Sequence, residues 1–146
     1  MVLQHMSQLL SGMRRLQTLN LDLSSKGLGS EGVATVLGGI GKLEFLRDLK
    51  LNLTDNKLDL HGGLFIGEQL AKGFKKVSAL ELRLNKNDLG FAGVEAVTDG
   101  LLELPQLTVL SVHPTLGNPP LEPAVDGGVW TTLLAPRGCI YTCVHR

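Results

Sequence analysis

Aromatic residues are scarce in this 146-residue chain, with four Phe, one Tyr and one Trp, so its core has to be aliphatic. Two cysteines cannot make a disulfide scaffold. Neither sign of charge is in excess: 14 basic residues face 14 acidic ones. Phosphate binding needs a positive surplus, so this balance excludes nucleic acid as the main partner. It also argues against a polybasic membrane-surface role. No uncharged apolar run approaches the roughly 20 residues that span a bilayer, so no membrane insertion is expected. With 43% hydrophobic and 19% charged residues, the chain is too apolar to be disordered as a whole, and its length suits one domain.

What is abundant is leucine, 31 residues, joined by 18 glycines. That bias suggests a repetitive architecture. Placing Leu16, Leu46, Val77 and Leu107 in register gives steps of 30, 31 and 30 residues. Three positions on stand Leu19, Leu49, Leu80 and Leu110; five positions on stand Leu21, Leu51, Leu82 and Val112. Later offsets align Leu28, Leu58 and Leu89, then Gly32, Gly62 and Gly93, then Val36, Ile66 and Val97, and last Ile40, Leu70 and Leu101. Each unit changes period midway. Leu19-x-Leu21-x-Leu23 alternates as a strand with one buried face. Val33, Val36, Leu37 and Ile40 are spaced for one face of a helix. Polar turns such as Ser24–Gly27, Thr54–Lys57 and Asn85–Asp88 join the two halves. A lone strand-plus-helix unit cannot bury both faces, whereas stacked units can.

The string Leu80-x-Leu82-x-Leu84-x-x-Asn87-x-Leu89-x-x-x-Gly93 resembles the leucine-rich repeat family, in its long, ribonuclease-inhibitor-like form. The unit of about 30 residues is similar to the variety seen in many single-celled eukaryotes. The resemblance covers residues 16–112. It implies an α/β fold, a short solenoid with parallel strands on the concave face and helices on the convex face, and binding rather than catalysis. It also implies a buried asparagine ladder through Asn56 and Asn87. Lys26 departs from that pattern, so the first turn is expected to be looser.

The ends fit less well. Residues 1–15 match the helical half of a preceding unit through Leu3, Met6, Leu10 and Met13. They are either an N-terminal cap or the remainder of upstream repeats in a longer protein. A signal peptide is the poorer reading, because Arg14 and Arg15 follow the apolar stretch rather than precede it. A mitochondrial presequence is open, since the first acidic residue is Asp22, but the repeat phase explains the same residues better. An intracellular, cytoplasmic protein is expected, with an organelle left open. Residues 113–146 hold five of the six prolines and both cysteines and show no period. They are read as an irregular extension. Trp130, Leu133, Leu134, Ile140 and Tyr141 either fold over the last repeat or order on a partner.

Chemistry-bearing motifs are few. Gly27-Leu28-Gly29-Ser30-Glu31-Gly32 fits G-x-G-x-x-G after a strand and before a helix, as a dinucleotide loop would. Leu28 and Gly32 are also repeat positions, which explains them better. A nucleotide binder using Gly27–Gly32 stays a remote alternative. Cys139, Cys143 and His145 are close in sequence but lack the fourth ligand of a structural zinc site. They read as free or packed thiols, or as a Cys139–Cys143 disulfide if exposed. Asn52-Leu53-Thr54 is a glycosylation sequon, accidental without a secretion signal. His5 and His61 have no catalytic relay. No metal, cofactor or enzymatic activity is expected.

The default functional surface is therefore the concave face. There the residues between the inward leucines point outward: Asn20, Asp22, Lys50, Asn52, Glu81, Arg83, Ser111 and His113. Lys50 opposite Glu81 reads structurally as a cross-strand charge pair; collectively the row reads as a mixed-charge protein-binding face. The expectation is a non-catalytic interaction module, an accessory or scaffold subunit of a larger assembly. A regulatory inhibitor or sensor of an enzyme is the alternative.

Overall fold

The computed structural model describes residues 2–114 and 140–143, with side chains described up to Thr108. Helix and strand alternate: α1 (Val2–Gly12), β1 (Thr18–Asp22), α2 (Gly29–Ile40), β2 (Asp48–Asn52), α3 (Leu60–Gly73), β3 (Ala79–Leu84), α4 (Gly90–Leu102), β4 (Val109–Pro114) and β5 (Ile140–Cys143). The fold is mixed α/β. The strands form one sheet in chain order, and every pairing is parallel. Parallel neighbours need a long crossover, which α2, α3 and α4 supply.

The sheet register matches the sequence period. Leu19, Leu49, Leu80 and Leu110 lie in one row, and Leu21, Leu51, Leu82 and Val112 in the next. One face of the sheet is thus a continuous leucine surface. Leu49, Leu51, Leu80 and Leu82 are buried there in a single core with Val33, Val36 and Ile40 of α2, Ile66 and Leu70 of α3, and Val97 and Leu101 of α4. β1 is an edge among the described residues, so Leu19 and Leu21 are only half-buried. Successive helices pack on one another, and α3 and α4 approach closely because glycines line their contact, Gly63 against Gly93 and Gly67 against Gly100.

Two buried asparagines bind successive turns together. The Asn87 Oδ1 accepts from the backbone N–H groups of Asn56 (2.9 Å) and Leu58 (3.1 Å), while its Nδ2 donates to Leu53 O and Leu84 O (both 2.9 Å). Asn56 repeats this one unit earlier, accepting from Lys26 N (3.2 Å) and Leu28 N (3.3 Å) and donating to Leu23 O (2.9 Å). Each asparagine therefore ties down the turn before its own. The first turn is not looser for having Lys26, because Asn56 of the next turn holds it.

The C-terminal segment departs from the sequence reading. Residues 113–146 were expected to be irregular, yet β4 continues to Pro114 and Ile140–Cys143 add a fifth parallel strand beside it. Prolines and a lost period hid a short strand far along the chain. The expected capping residues Trp130, Leu133 and Leu134, together with Cys139 and His145, lie outside the described residues.

Candidate functional site

The sheet face opposite the core is built by the residues alternating with the leucines. Register places Asn20, Lys50, Glu81 and Ser111 in one row and Asp22, Asn52, Arg83 and His113 in the next. For Ser111 and His113 this is a backbone placement. The other six, with Leu51, line a shallow cleft of about 260 Å³ across β1, β2 and β3.

Glu81 sits at the centre of its charges. Arg83, two residues along the same strand, donates from Nη2 at 2.7 Å and Nε at 2.8 Å to one Glu81 oxygen. The Lys50 ammonium lies 3.9 Å from the other oxygen, across the strand pair. The cross-strand pair was legible from the repeat register. The stronger Arg83 contact was not singled out, although alternation puts residues two apart on the same face. Arg83 and Lys50 remain exposed, so the bridge positions them without removing them from solvent.

Asp22 is held differently. Its carboxylate accepts from the Ser24 hydroxyl (2.7 Å), the Ser24 backbone N–H (2.9 Å) and the Asn52 amide (3.2 Å). The Ser24 hydroxyl, then its N–H, hold the Asp22 carboxyl below its ordinary value, with Asn52 and the Lys26 charge assisting against a smaller opposing effect of desolvation. Asn52 is oriented in turn by the Thr54 N–H, which its Oδ1 accepts at 3.1 Å. The Asp-x-Ser spacing, a turn that closes on its own side chain, is the sequence signal for Ser24.

This arrangement offers hydrogen-bond donors and acceptors and charges of both signs. No group of three or more His, Cys, Asp or Glu that could hold a metal occurs among the described residues. Among the same residues no helix is long and apolar enough to cross a membrane. The Gly27–Gly32 loop is spent on structure. Gly27 and Gly29 adopt left-handed backbone conformations, and the N–H groups of Lys26, Leu28 and Gly29 all donate to Asn56. A phosphate cradle needs such amides unbonded. Gly32 is required by packing, since a Cβ there would lie 2.9 Å from Leu28 Cβ and 3.1 Å from Leu3 Cδ1.

No protein-family model matches the chain, and no curated protein matches it. Among solved structures it is similar to one named "Leiomodin-1 Actin-Binding Site 2 (ABS2)", with 18% sequence identity and a TM-score of 0.59. The match covers 77% of this chain and 62% of that one, so the chain spans less than two thirds of the neighbour's length. At this identity the likeness concerns the fold alone.

Proposed function

We propose that the chain is a leucine-rich-repeat solenoid whose concave strand face binds a protein without catalysis, as an intracellular accessory or scaffold subunit. The observation that carries this reading is the polar cleft over β1, β2 and β3, which Asn20 lines and where Lys50, Asn52 and Arg83 present side chains held by neighbours rather than by the core. A broad, shallow, mixed-charge surface suits a protein partner, for which electrostatic complementarity sets specificity and encounter rate. It does not suit a small substrate, whose sites are concave and mostly apolar. The neighbour's name states that it binds actin, which supports a protein-binding use of this fold; fold analogy alone cannot name this chain's partner. An inhibitor or sensor of an enzyme is the alternative, separated by whether a captured partner changes activity on binding.

The test places a photo-crosslinking residue at Asn20 or Asn52, which line the same cleft, and separately at Glu68 on α3 as a control. Native extract is then fractionated by size and the adducts are identified by mass spectrometry. One protein captured from both strand-face positions and not from Glu68, and lost in Lys50→Glu/Arg83→Glu, is the expected result. Equal capture from all three positions, or capture unaffected by the double charge reversal, overturns the reading. Purified actin, tested by co-sedimentation, shows whether the partner is the one in the neighbour's name.

A further inference from the structure

The loops that lead from each helix to the next strand lie side by side along one edge of the molecule. Arg47 N and Asp48 N donate to Gln17 O at 2.8 and 3.0 Å, and Ser78 N and Ala79 N donate to Arg47 O at the same distances. Equivalent positions of successive units therefore form rows. One row reads Arg15, Phe45, Lys76 and the next reads Arg14, Glu44, Lys75. With Lys42 and Arg47, this edge carries six exposed cations against the carboxylates of Glu44 and Glu103. None of the six makes an ion pair among the described residues. The loops at the opposite edge are balanced or acidic, with Lys26, Lys57 and Lys86 facing Asp55, Asp59 and Asp88. Among the described residues, cations thus outnumber carboxylates on this edge and not on the opposite one.

Helix C-termini attract cations, which is the structural explanation to be weighed. It accounts for one of the six, Lys75, whose Nζ donates to Glu103 O at the end of α4; Arg47 Nη1 donates to Lys76 O in the loop after α3, each bond being 3.4 Å. Arg14, Arg15, Lys42 and Lys76 make no such bond to a carbonyl among the described residues. The end of α4 has Glu103 in the same place and no cation, so this fold does not require them there.

A second, independent feature lies within the same edge. Phe45 is 45% exposed, and Lys76 Nζ lies 5.3 Å from its ring centroid. Between the Phe45 neighbours Glu44 and Leu46 and the loop after α3 opens a cleft of about 190 Å³, with Leu43, Leu46, Phe74 and Val77 as its apolar lining and Glu44, Lys75 and Lys76 as its charged one. We infer that this edge is a second docking surface, which accepts an acidic protein segment bearing one apolar side chain. The carboxylates meet the Arg14–Arg15 and Lys75–Lys76 pairs, and the apolar side chain packs on exposed Phe45 at the mouth of the cleft. Nucleic acid fits less well, because phosphates use the cations but not the apolar floor, and the chain lacks the overall positive field such binding draws on.

The surface is tested on the full chain by fluorescence anisotropy, with a labelled peptide of about ten glutamates interrupted by one central leucine. Comparators replace that leucine by serine, every glutamate by lysine, or the peptide by a deoxythymidine oligonucleotide of similar length. Saturable, salt-sensitive binding of the leucine peptide is expected, at least about fivefold tighter than the serine peptide. The lysine peptide should not bind. Arg15→Glu/Lys76→Glu should weaken binding by tenfold or more, and Phe45→Ser should abolish the preference for leucine while keeping the attraction to acid. Lys50→Glu/Arg83→Glu should change nothing, which separates this surface from the strand face. Equal affinity for the leucine and serine peptides, tighter binding of the oligonucleotide, or indifference to Arg15→Glu/Lys76→Glu overturns the inference. All these side chains are exposed, and melting curves of the variants check that each remains folded.

Discussion

Replacing Gly63 by alanine tests whether α3 and α4 really touch backbone to backbone. A Cβ at Gly63 would lie 2.5 Å from Gly93 Cα, 2.7 Å from its carbonyl oxygen and 2.8 Å from its carbonyl carbon. Carbon atoms rest at about 3.5–4.0 Å, so α4 must retreat by about 1 Å. Backbone, unlike a flexible side chain, cannot step aside locally, and Gly67 and Gly100 hold the same seam further along the helices. Such overpacking costs about 1–3 kcal/mol, occasionally more. The retreat also opens the contacts around Ile66, Leu70, Val97 and Leu101, which are buried in the common core. Against this, alanine gains about 1 kcal/mol over glycine in a helix interior. The net expectation is a loss of about 1–2 kcal/mol, or a melting temperature lower by roughly 3–8 °C for a domain of this size. The internal standard is Gly38→Ala in α2, where an added Cβ meets nothing within 4 Å. There the propensity gain stands alone, and stability should rise by about 0.5–1 kcal/mol. Urea unfolding followed by circular dichroism reads both. One chemical change should move stability in opposite directions at the two sites. If both variants are stabilised, α3 and α4 are not in backbone contact and the packing argument fails.

The asparagine bonds and the acidic side chains give further expectations. Asn87→Ala leaves the N–H groups of Asn56 and Leu58 without their acceptor in a buried turn; it should cost about 3 kcal/mol by urea titration, on the scale of one to two orphaned buried donors, whereas Lys26→Asn should change stability by less than about 0.5 kcal/mol. A loss for Asn87→Ala no larger than that for Lys26→Asn would refute the role given to Asn87. The Ser30 hydroxyl first, then the Gly62 N–H, with His61 assisting, hold the Asp59 carboxyl below its ordinary value of 3.8, as Ser24 does for Asp22. Because the folded value is depressed, the associated stability is present above the unfolded value and is lost as pH falls through the folded one. Asp22→Asn/Asp59→Asn should therefore lose less melting temperature than the parent between about pH 5 and pH 3; an identical acid limb would show that neither carboxylate is linked to folding.

Much of this architecture was legible because buried leucines must recur wherever the sheet and helices recur. Leu49, Leu80 and Leu110 were aligned by counting residues, and the sheet pairs the same three. The outward residues followed from alternation, so Lys50 beside Glu81 was legible too. Other features carry no periodic signal. Ser25, Asp55 and Lys86 occupy equivalent turn positions in the left-handed region, with φ of 54°, 56° and 56°, yet none is the glycine that would announce it. The short parallel strand Ile140–Cys143 lies beyond a proline-containing stretch, outside the reach of any local pattern. The cationic edge was missed because summing charge over the whole chain hides its segregation by the fold.

The direction of the asparagine bonds explains the departure at Lys26. Asn87 reaches back to Leu53 O, and Asn56 reaches back to Leu23 O, in each case one unit earlier. A side chain at position 26 would reach toward the turn of a unit before β1, and of that unit the described residues contain only the helix α1. Lysine there costs the first turn nothing, because the amide that holds this turn is that of Asn56. Each asparagine thus bonds carbonyls of its own turn and of the preceding unit together. The same logic separates the scaffold from its surfaces. Positions that touch a neighbouring unit are fixed in kind by that neighbour, whereas Asn20, Lys50 and Glu81, or Arg15, Phe45 and Lys76, are equivalent positions filled by unlike residues. Stacking leaves those places free to vary, and it is in them that a fold built from similar strand-and-helix units can acquire partners of different chemistry on different faces.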